Sequence, residues 1–106
     1  MREVDLTTFT TAHRGGALVI DVREPAEYAA GHVPGARPIP AGQLPARLGE
    51  LPRTAPVYVI CASGNRSLAA VDILTRAGVD AWSVAGGTSA WTRAGHPVVR
   101  GAHATV

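Results

Sequence analysis

The chain has 106 residues, 46% of them hydrophobic, which suffices for one globular domain and is too short for two. The chain has ten basic residues, all arginines, and eight acidic residues. The arginines are scattered along the sequence, which excludes the basic stripe of a nucleic-acid-binding protein. One cysteine excludes an internal disulfide, and no apolar run is long enough to span a membrane. The N-terminus lacks the apolar segment of a signal peptide, so we expect a soluble, cytoplasmic protein.

The first half of the chain predicts short strands that alternate with helices. Asp5 is placed to cap the first helix, and the continuous apolar run Ala17–Ile20 is typical of a strand buried on both faces of a parallel sheet. In order, the predicted elements are an edge strand at residues 2–4, a helix at 6–12, a strand at 17–20, a helix that begins at 24–25 and ends at Gly31, and a short strand at 36–39.

The second half continues the alternation. Leu44, Leu48 and Leu51 have helical spacing and predict a helix over residues 43–51 in spite of Pro45. The remaining predicted elements are a strand at 57–60, a helix at 66–77, a strand at 81–84, a short helix that begins at Thr88 and ends at Gly95, and a loose tail at 99–106. This alternation indicates an α/β fold with a parallel sheet.

The stretch VYVICASGNRS contains the clearest candidate for chemistry. A buried strand ends at Cys61, a short loop follows, and a helix begins near Arg66 and Ser67. Loop amides and the positive end of a helix would then point at the thiol, and Arg66 would add a fixed positive charge. Such surroundings favour the thiolate, so we expect the pKa of Cys61 to lie below its model value of about 8.5.

Polar residues also follow the strand at residues 17–20. Asp21 and Arg23 lie where the carboxyl end of that strand would meet a ligand crevice, and Glu27 follows on the next helix. Because structural ion pairs are common, we interpret these three residues as a network that holds the loops. His32 is interpreted in the same way, as a residue that fixes a loop through a hydrogen bond.

Three motifs together resemble the rhodanese family of sulfurtransferases. The loop C-x-x-G-x-R-S matches from Cys61 to Ser67, the pattern D-x-R-x-x-x-E-[FY]-x-x-G-H-[IV]-x-G-A matches from Asp21 to Ala36, and G-G-x-x-x-W with G-x-P-V matches from Gly86 to Val98. The resemblance covers about residues 2–99. It implies that residues 1–106 form one rhodanese domain, with a five-stranded parallel sheet and helices on both faces.

The resemblance also implies an activity, the transfer of sulfane sulfur from a donor such as thiosulfate to a thiol or cyanide through a persulfide on Cys61. Asp21, Arg23 and His32 would support the site, Arg66 would steady the loop or the oxyanion of the donor, and no cofactor or metal is implied. The expected substrate-binding residues are Ala62, Ser63, Gly64, Asn65, Arg66 and Ser67. Residue 62 departs from many relatives, which have a charged or long polar side chain there, and this puts high thiosulfate affinity in doubt.

Two alternatives remain open at this point. Phosphatases and arsenate reductases also use a loop from Cys to Arg, but with five residues between them, whereas Cys61 and Arg66 are separated by four. A persulfide carrier or docking module, with a protein as sulfur donor or acceptor, would have the same sequence features as an enzyme. An assay that compares thiosulfate turnover with persulfide loading by a partner protein separates the enzyme from the carrier.

Overall fold

A five-stranded parallel sheet forms the centre of the protein. The computed structural model describes residues 2–103, and its strands, here β1 to β5, are Glu3–Val4, Leu18–Asp21, Arg37–Pro38, Val57–Ile60 and Ala81–Val84. Their spatial order is β1-β5-β4-β2-β3, and all neighbours are parallel, so β4 lies in the middle. The predicted α/β class and five-stranded sheet are confirmed.

Helices cover both faces of this sheet, as expected. They are α1 Leu6–Arg14, α2 Pro25–Ala30, α3 Asn65–Arg76 and α4 Gly87–Arg93. One face is covered by α3, which buries Val71 and Leu74. The other is covered by α1, α2 and α4, which bury Phe9, Tyr28 and Trp91. Within residues 2–103, none of the helices combines the length and the hydropathy that a membrane crossing requires.

Alternate strand residues supply the two cores. Ile20 and Val59 belong to the core under α3, whereas Val19 and Ile60 belong to the core on the opposite face. Successive side chains of a strand point to opposite faces, so a sheet with two covered faces needs apolar residues at every position. This requirement explains the uninterrupted apolar runs that mark β2 and β4 in the sequence.

Local capping determines where two helices begin. Asp5 accepts a hydrogen bond from the Thr8 amide at 2.8 Å and caps α1 as predicted, although the helix runs to Arg14. Glu24 caps α2 through a reciprocal capping box with Glu27. The strands predicted at residues 57–60 and 81–84 have the observed bounds. Most of the other predicted bounds differ by one or two residues, because the ends of helices and strands are not sharply fixed by pattern.

The helix predicted over residues 43–51 is wrong. The chain instead forms two short 3-10 segments, Ala41–Gln43 and Pro45–Glu50. Pro45 begins the second segment, a position where its missing amide hydrogen is tolerated. The backbone leaves the helical region at Arg47, with a φ of −118° and a ψ of 16°, so no continuous α-helical hydrogen-bond ladder forms. The leucine spacing nevertheless marks core residues, because Leu44 and Leu51 are buried in the core under α3.

The loose tail predicted for residues 99–106 is wrong for its first three residues. Val99 and His32 exchange two backbone hydrogen bonds of 2.9 Å, and the Gly101 amide donates to a carbonyl of α2 at 3.0 Å. The buried backbone groups of His32 follow the end of α2 and need partners, which Val99 supplies. Residues 104–106 of the predicted tail lie outside the described part of the chain.

The register of the sheet brings two of the motifs together. Asp21 of β2 is paired with Ile60 of β4, so Cys61 lies one residue beyond the sheet, next to the end of β2. The helices that follow these strands, α2 and α3, leave toward opposite faces. In α/β proteins this arrangement opens a crevice at the carboxyl ends of the strands, where ligands bind.

Candidate active site

Cys61 follows the central strand β4 directly and is 1% exposed. The loop turns at Gly64, whose φ of 109° lies in the left-handed region, and α3 begins at the next residue. Glycine adopts this conformation without the steric penalty of a side chain, and a Cβ here would also lie 3.4 Å from the Gly86 amide nitrogen. The glycine of the predicted motif therefore makes the tight connection from strand to helix possible.

Hydrogen-bond donors surround the sulfur of Cys61. The Gly64 amide donates to Sγ at 3.1 Å, and Ser67 Oγ lies 3.4 Å from Sγ. Burial acts to raise the pKa of the thiol, but the Ser67 hydroxyl and the amides of Ser67, Gly64 and Ser63 outweigh it and hold that pKa below its ordinary value. The site therefore favours the thiolate, which is the nucleophilic form.

Two buried hydroxyls from different elements meet behind the sulfur. Ser67 Oγ of α3 lies 2.7 Å from Ser83 Oγ of β5, and both residues are fully buried. Ser67 Oγ also donates to the Gly64 carbonyl at 3.0 Å. A hydroxyl has one proton and two acceptor lone pairs, so Ser67 can turn its proton to a thiolate while the Ser83 hydroxyl donates to its oxygen.

Ser83 was missed in the sequence. The predicted strand at residues 81–84 has no motif that marks this position, and the only signal is one hydroxyl residue between Trp82 and Val84. A serine in a strand is common enough that the signal alone predicts nothing.

The start of α4 turns the carbonyls of the cysteine loop away from the sulfur. The Thr88 amide and hydroxyl donate to the Cys61 carbonyl at 2.8 and 3.1 Å, and the Ser89 amide donates to the Ala62 carbonyl at 3.0 Å. In a trans peptide the N–H points opposite to the C=O, so the amides that follow these carbonyls face away from α4, and the Ser63 amide among them donates to Sγ. Gly87 permits this approach, because a Cβ there would lie only 2.7 Å from the Ala62 carbonyl.

Arg66 ties the loop to α2. Its Nη1 and Nη2 donate to the two carboxylate oxygens of Glu27 at 2.6 and 2.9 Å, and the side chains are 41% and 36% exposed. The bonds with Arg66 lower the pKa of Glu27 to about 2. Of the two roles expected for Arg66, this geometry supports steadying the loop, while contact with the oxyanion of a donor stays a prediction. The main contributions that lower the pKa of Cys61 are hydrogen bonds, and the Arg66 cation and the Cys61 thiolate also attract each other.

The predicted network of Asp21, Arg23 and Glu27 is divided into two separate ion pairs. Arg23 Nε and Nη2 bond to the carboxylate of Asp21 over 2.8–3.2 Å, and both side chains are buried. Nη2 also donates to the Gly31 carbonyl at 2.8 Å, which fixes the end of α2 against β2. Removal of one partner of such a buried pair costs about 3–5 kcal/mol, so the geometry favours the structural role.

His32 is fully buried behind α2. Its Nδ1 donates to the Tyr28 carbonyl at 2.8 Å, and the two rings stack with centroids 3.7 Å apart. Its Nε2 has no hydrogen-bond partner among residues 2–103. Together with the backbone pairing to Val99, these contacts favour the predicted loop-fixing role over that of a catalytic base.

The predicted substrate-binding residues lie in one turn around the sulfur. Ser63 and Asn65 direct exposed side chains to solvent, so the backbone is what they can offer to a sulfur atom bound to Cys61. A cleft of about 330 Å³, here the α2–α4 cleft, opens beside Ala62. Its lining includes Gly31, Ala62, Ser89, Thr92, Val98 and Arg100.

Comparison with known proteins agrees with this geometry. The family model of the rhodanese-like domain matches residues 10–94. A protein named sulfurtransferase from Allochromatium vinosum is 39% identical over 83 residues, which are 77% of this chain and 78% of that protein.

Solved structures of similar proteins share the whole fold. A rhodanese-related protein from Thermoplasma volcanium has a TM-score of 0.87 and 35% identity, over 93% of this chain and 98% of that one. A rhodanese-like domain protein from Staphylococcus aureus has a TM-score of 0.81 and 31% identity, over 86% of this chain and 91% of that one. The resemblance drawn from the three motifs is confirmed, and the chain belongs to the rhodanese-like domain family.

Proposed function

We propose that the protein is a sulfurtransferase that carries sulfur as a persulfide on Cys61. The observation that carries this proposal is the set of donors around Sγ, which keep the pKa of a buried thiol below its ordinary value. A cysteine that only fills space needs no such donors, because burial in apolar surroundings raises its pKa. Donors that stabilise a thiolate also stabilise the terminal sulfur anion of a persulfide.

In the first half-reaction, the Cys61 thiolate attacks the outer sulfur of the donor, for which we propose thiosulfate. A bond forms between Sγ and that sulfur, the S–S bond of thiosulfate breaks, and sulfite leaves with the electron pair. The product is a persulfide anion on Cys61, and the total charge is unchanged. The amides of Ser63, Gly64 and Ser67, which already donate to Sγ, would hold this anion.

In the second half-reaction, a thiolate or cyanide attacks the outer sulfur of the persulfide. The Sγ–S bond breaks, the outer sulfur leaves with the acceptor, and Cys61 returns to the thiolate. Two such steps through a covalent intermediate predict ping-pong kinetics. The partners that this scheme requires are a small sulfur donor and a thiol acceptor. A protein as donor or acceptor remains an alternative that only an assay decides.

The position of Arg66 favours sulfur transfer over phosphoryl chemistry. A phosphatase loop needs its arginine free to bind the tetrahedral anion, whereas both terminal nitrogens of Arg66 are bonded to Glu27. The loop is also one residue shorter between Cys61 and Arg66 than in phosphatases. We therefore expect negligible hydrolysis of aryl phosphates and no arsenate reduction.

The test is steady-state turnover of thiosulfate with cyanide or a thiol. Wild-type protein should turn over with ping-pong kinetics, and Cys61→Ser should lose all sulfur transfer while its unfolding curve stays cooperative. Wild-type protein that accepts sulfur from a desulfurase but does not turn over thiosulfate would identify a carrier. A Cys61→Ser variant that keeps near-normal turnover would contradict the covalent mechanism.

A further inference from the structure

The α2–α4 cleft adjoins the cysteine loop at Ala62 and has the size of a small-molecule site. Its volume of about 330 Å³ lies at the low end of the range for ligand pockets, about 300–1,000 Å³. One wall of the cleft is Ala62, the residue that follows Cys61, so a ligand in the cleft lies beside the cysteine loop. Cys61 itself does not line the cleft. A cleft of this volume suits an organic molecule better than a bare inorganic anion.

Among residues 2–103, one charged side chain of the cleft has no ion-pair partner. Of its three charged side chains, Arg23 is paired with Asp21 and Glu27 is paired with Arg66. The pKa of Glu27 is lowered to about 2 by its bonds to Arg66, so this pair stays ionised at neutral pH. Within residues 2–103, no carboxylate forms an ion pair with Arg100, whose Nε donates only to the Ala30 carbonyl at 3.3 Å.

The backbone on both sides of Arg100 is fixed. Val99 pairs with His32, and the Gly101 amide donates to the Ala29 carbonyl. The guanidinium therefore projects from an anchored segment at the rim of the cleft, although the side chain is exposed. Ala62, by contrast, places no charge beside the nucleophile.

We propose that the α2–α4 cleft selects sulfur acceptors that carry a carboxylate, and that Arg100 is the residue that recognises it. This inference rests on the proposed sulfur transfer and names its acceptor class, a small organic thiol with an acidic group. The acceptor thiolate attacks the outer sulfur of the Cys61 persulfide and leaves as its own persulfide, while its carboxylate pairs with Arg100. Cys61 takes the electron pair of the broken Sγ–S bond.

The test compares three acceptors of different charge on protein first loaded with sulfur from thiosulfate. They are 3-mercaptopropionate, which is anionic, 2-mercaptoethanol, which is neutral, and cysteamine, which is cationic. Arg100→Gln should raise the KM for 3-mercaptopropionate about three- to fivefold, the size expected of one exposed ion pair, with little change in kcat or for the other two acceptors. The effect should shrink at high salt.

Arg93→Gln is the matched control. Arg93 is an exposed arginine in the last turn of α4 and does not line the cleft, so its removal lowers the net charge equally. It should leave all three acceptors unchanged. Equal losses in the two variants, or an equal loss for all three acceptors in Arg100→Gln, would overturn the proposal.

A binding experiment separates this proposal from the proposed function. Amide chemical shifts of the unloaded protein, titrated with 3-mercaptopropionate, should move around Ser89 and Gly101 in the wild type and not in Arg100→Gln. If the protein never accepts sulfur but these shifts appear, the proposed function fails and the carboxylate site stands. If sulfur transfer proceeds without shifts or acceptor preference, the carboxylate site fails alone.

Discussion

The cysteine loop is held from two sides by contacts of different character. On the inner side, toward the sheet, the buried hydroxyls of Ser67 and Ser83 and the donors of α4 act on the sulfur or on the peptides around it. On the outer side, the exposed ion pair of Arg66 and Glu27 joins the loop to α2. Buried hydrogen bonds are shielded from solvent, whereas an exposed ion pair contributes about 0–1 kcal/mol. The reactivity of Cys61 should therefore depend on the inner side and hardly on the outer one.

The largest effect should come from Gly87→Ala, which disrupts the inner side. The new Cβ would lie 2.7 Å from the Ala62 carbonyl at a φ of +57°, so the loop has to move away from α4. Overpacking and the left-handed backbone together should cost about 2–5 kcal/mol, and most sulfur transfer should be lost. Urea unfolding and thiosulfate turnover measure the two effects.

Gly16→Ala is the control for the backbone part of that change. Gly16 also has a positive φ, +83°, but a Cβ there would have no neighbour within 4 Å. Its substitution should cost about 1–2 kcal/mol and leave turnover of the folded protein intact. Equal losses of activity in the two variants would show that the contact of α4 with the loop is irrelevant.

The next effect should come from the hydroxyl pair. Ser67→Ala and Ser83→Ala should both raise the pKa of Cys61. In Ser67→Ala the thiolate loses a hydrogen-bond donor, and in Ser83→Ala the Ser67 hydroxyl loses the hydrogen bond that orients it. A hydrogen bond to a charged group contributes about 1.5 kcal/mol or more, so iodoacetamide alkylation near neutral pH should slow roughly tenfold in Ser67→Ala and less in Ser83→Ala.

The pH profile separates this effect from simple loss of stability. Val84→Ala removes packing from the same strand and should lower the midpoint of unfolding without moving the alkylation profile. If Ser83→Ala destabilises the protein but leaves the profile of Cys61 in place, Ser83 has no part in the reactivity of the site.

The smallest effect should come from Glu27→Gln on the outer side. The pair is more than one third exposed, so the loss at neutral pH should be below about 1 kcal/mol, and the alkylation profile of Cys61 should not move. The folded-state pKa of Glu27, about 2, lies below its model value of 4.5. Its contribution is therefore complete above pH 4.5 and is lost as pH falls toward 2.

Unfolding in urea at several pH values tests this prediction. The wild type should be slightly more stable than Glu27→Gln at pH 7, and the difference should vanish on acidification. A shift of the Cys61 alkylation midpoint in Glu27→Gln would instead show that the outer side controls reactivity, and would reverse the comparison between the two sides.

Contacts between residues that are close in the sequence could be predicted, whereas contacts between distant residues could not. The loop from Cys61 to Ser67 is local, and its strand, glycine and helix were predicted from spacing alone. The partner of Arg66 is Glu27, 39 residues away, and no spacing rule names it. Ser83 and Gly87 act on the loop only because β5 lies beside β4 in the folded sheet.

The errors have equally specific causes. The helix predicted at residues 43–51 failed because leucine spacing shows which side chains are buried but not the backbone path between them, and the backbone leaves helical geometry at Arg47. The tail was predicted to be loose because its composition has no helical or strand pattern. Val99 is nevertheless paired, since the buried backbone of His32 requires partners that sequence pattern does not reveal.

The most direct test of the central claim is the mass of the protein after incubation with thiosulfate. We predict a gain of one sulfur atom, located on the peptide that contains Cys61, the only cysteine of the chain. The added sulfur should disappear when cyanide or a thiol is supplied, and Cys61→Ser should gain nothing. Folded wild-type protein that gains no sulfur from thiosulfate or from any persulfide donor would contradict the claim that Cys61 carries sulfur.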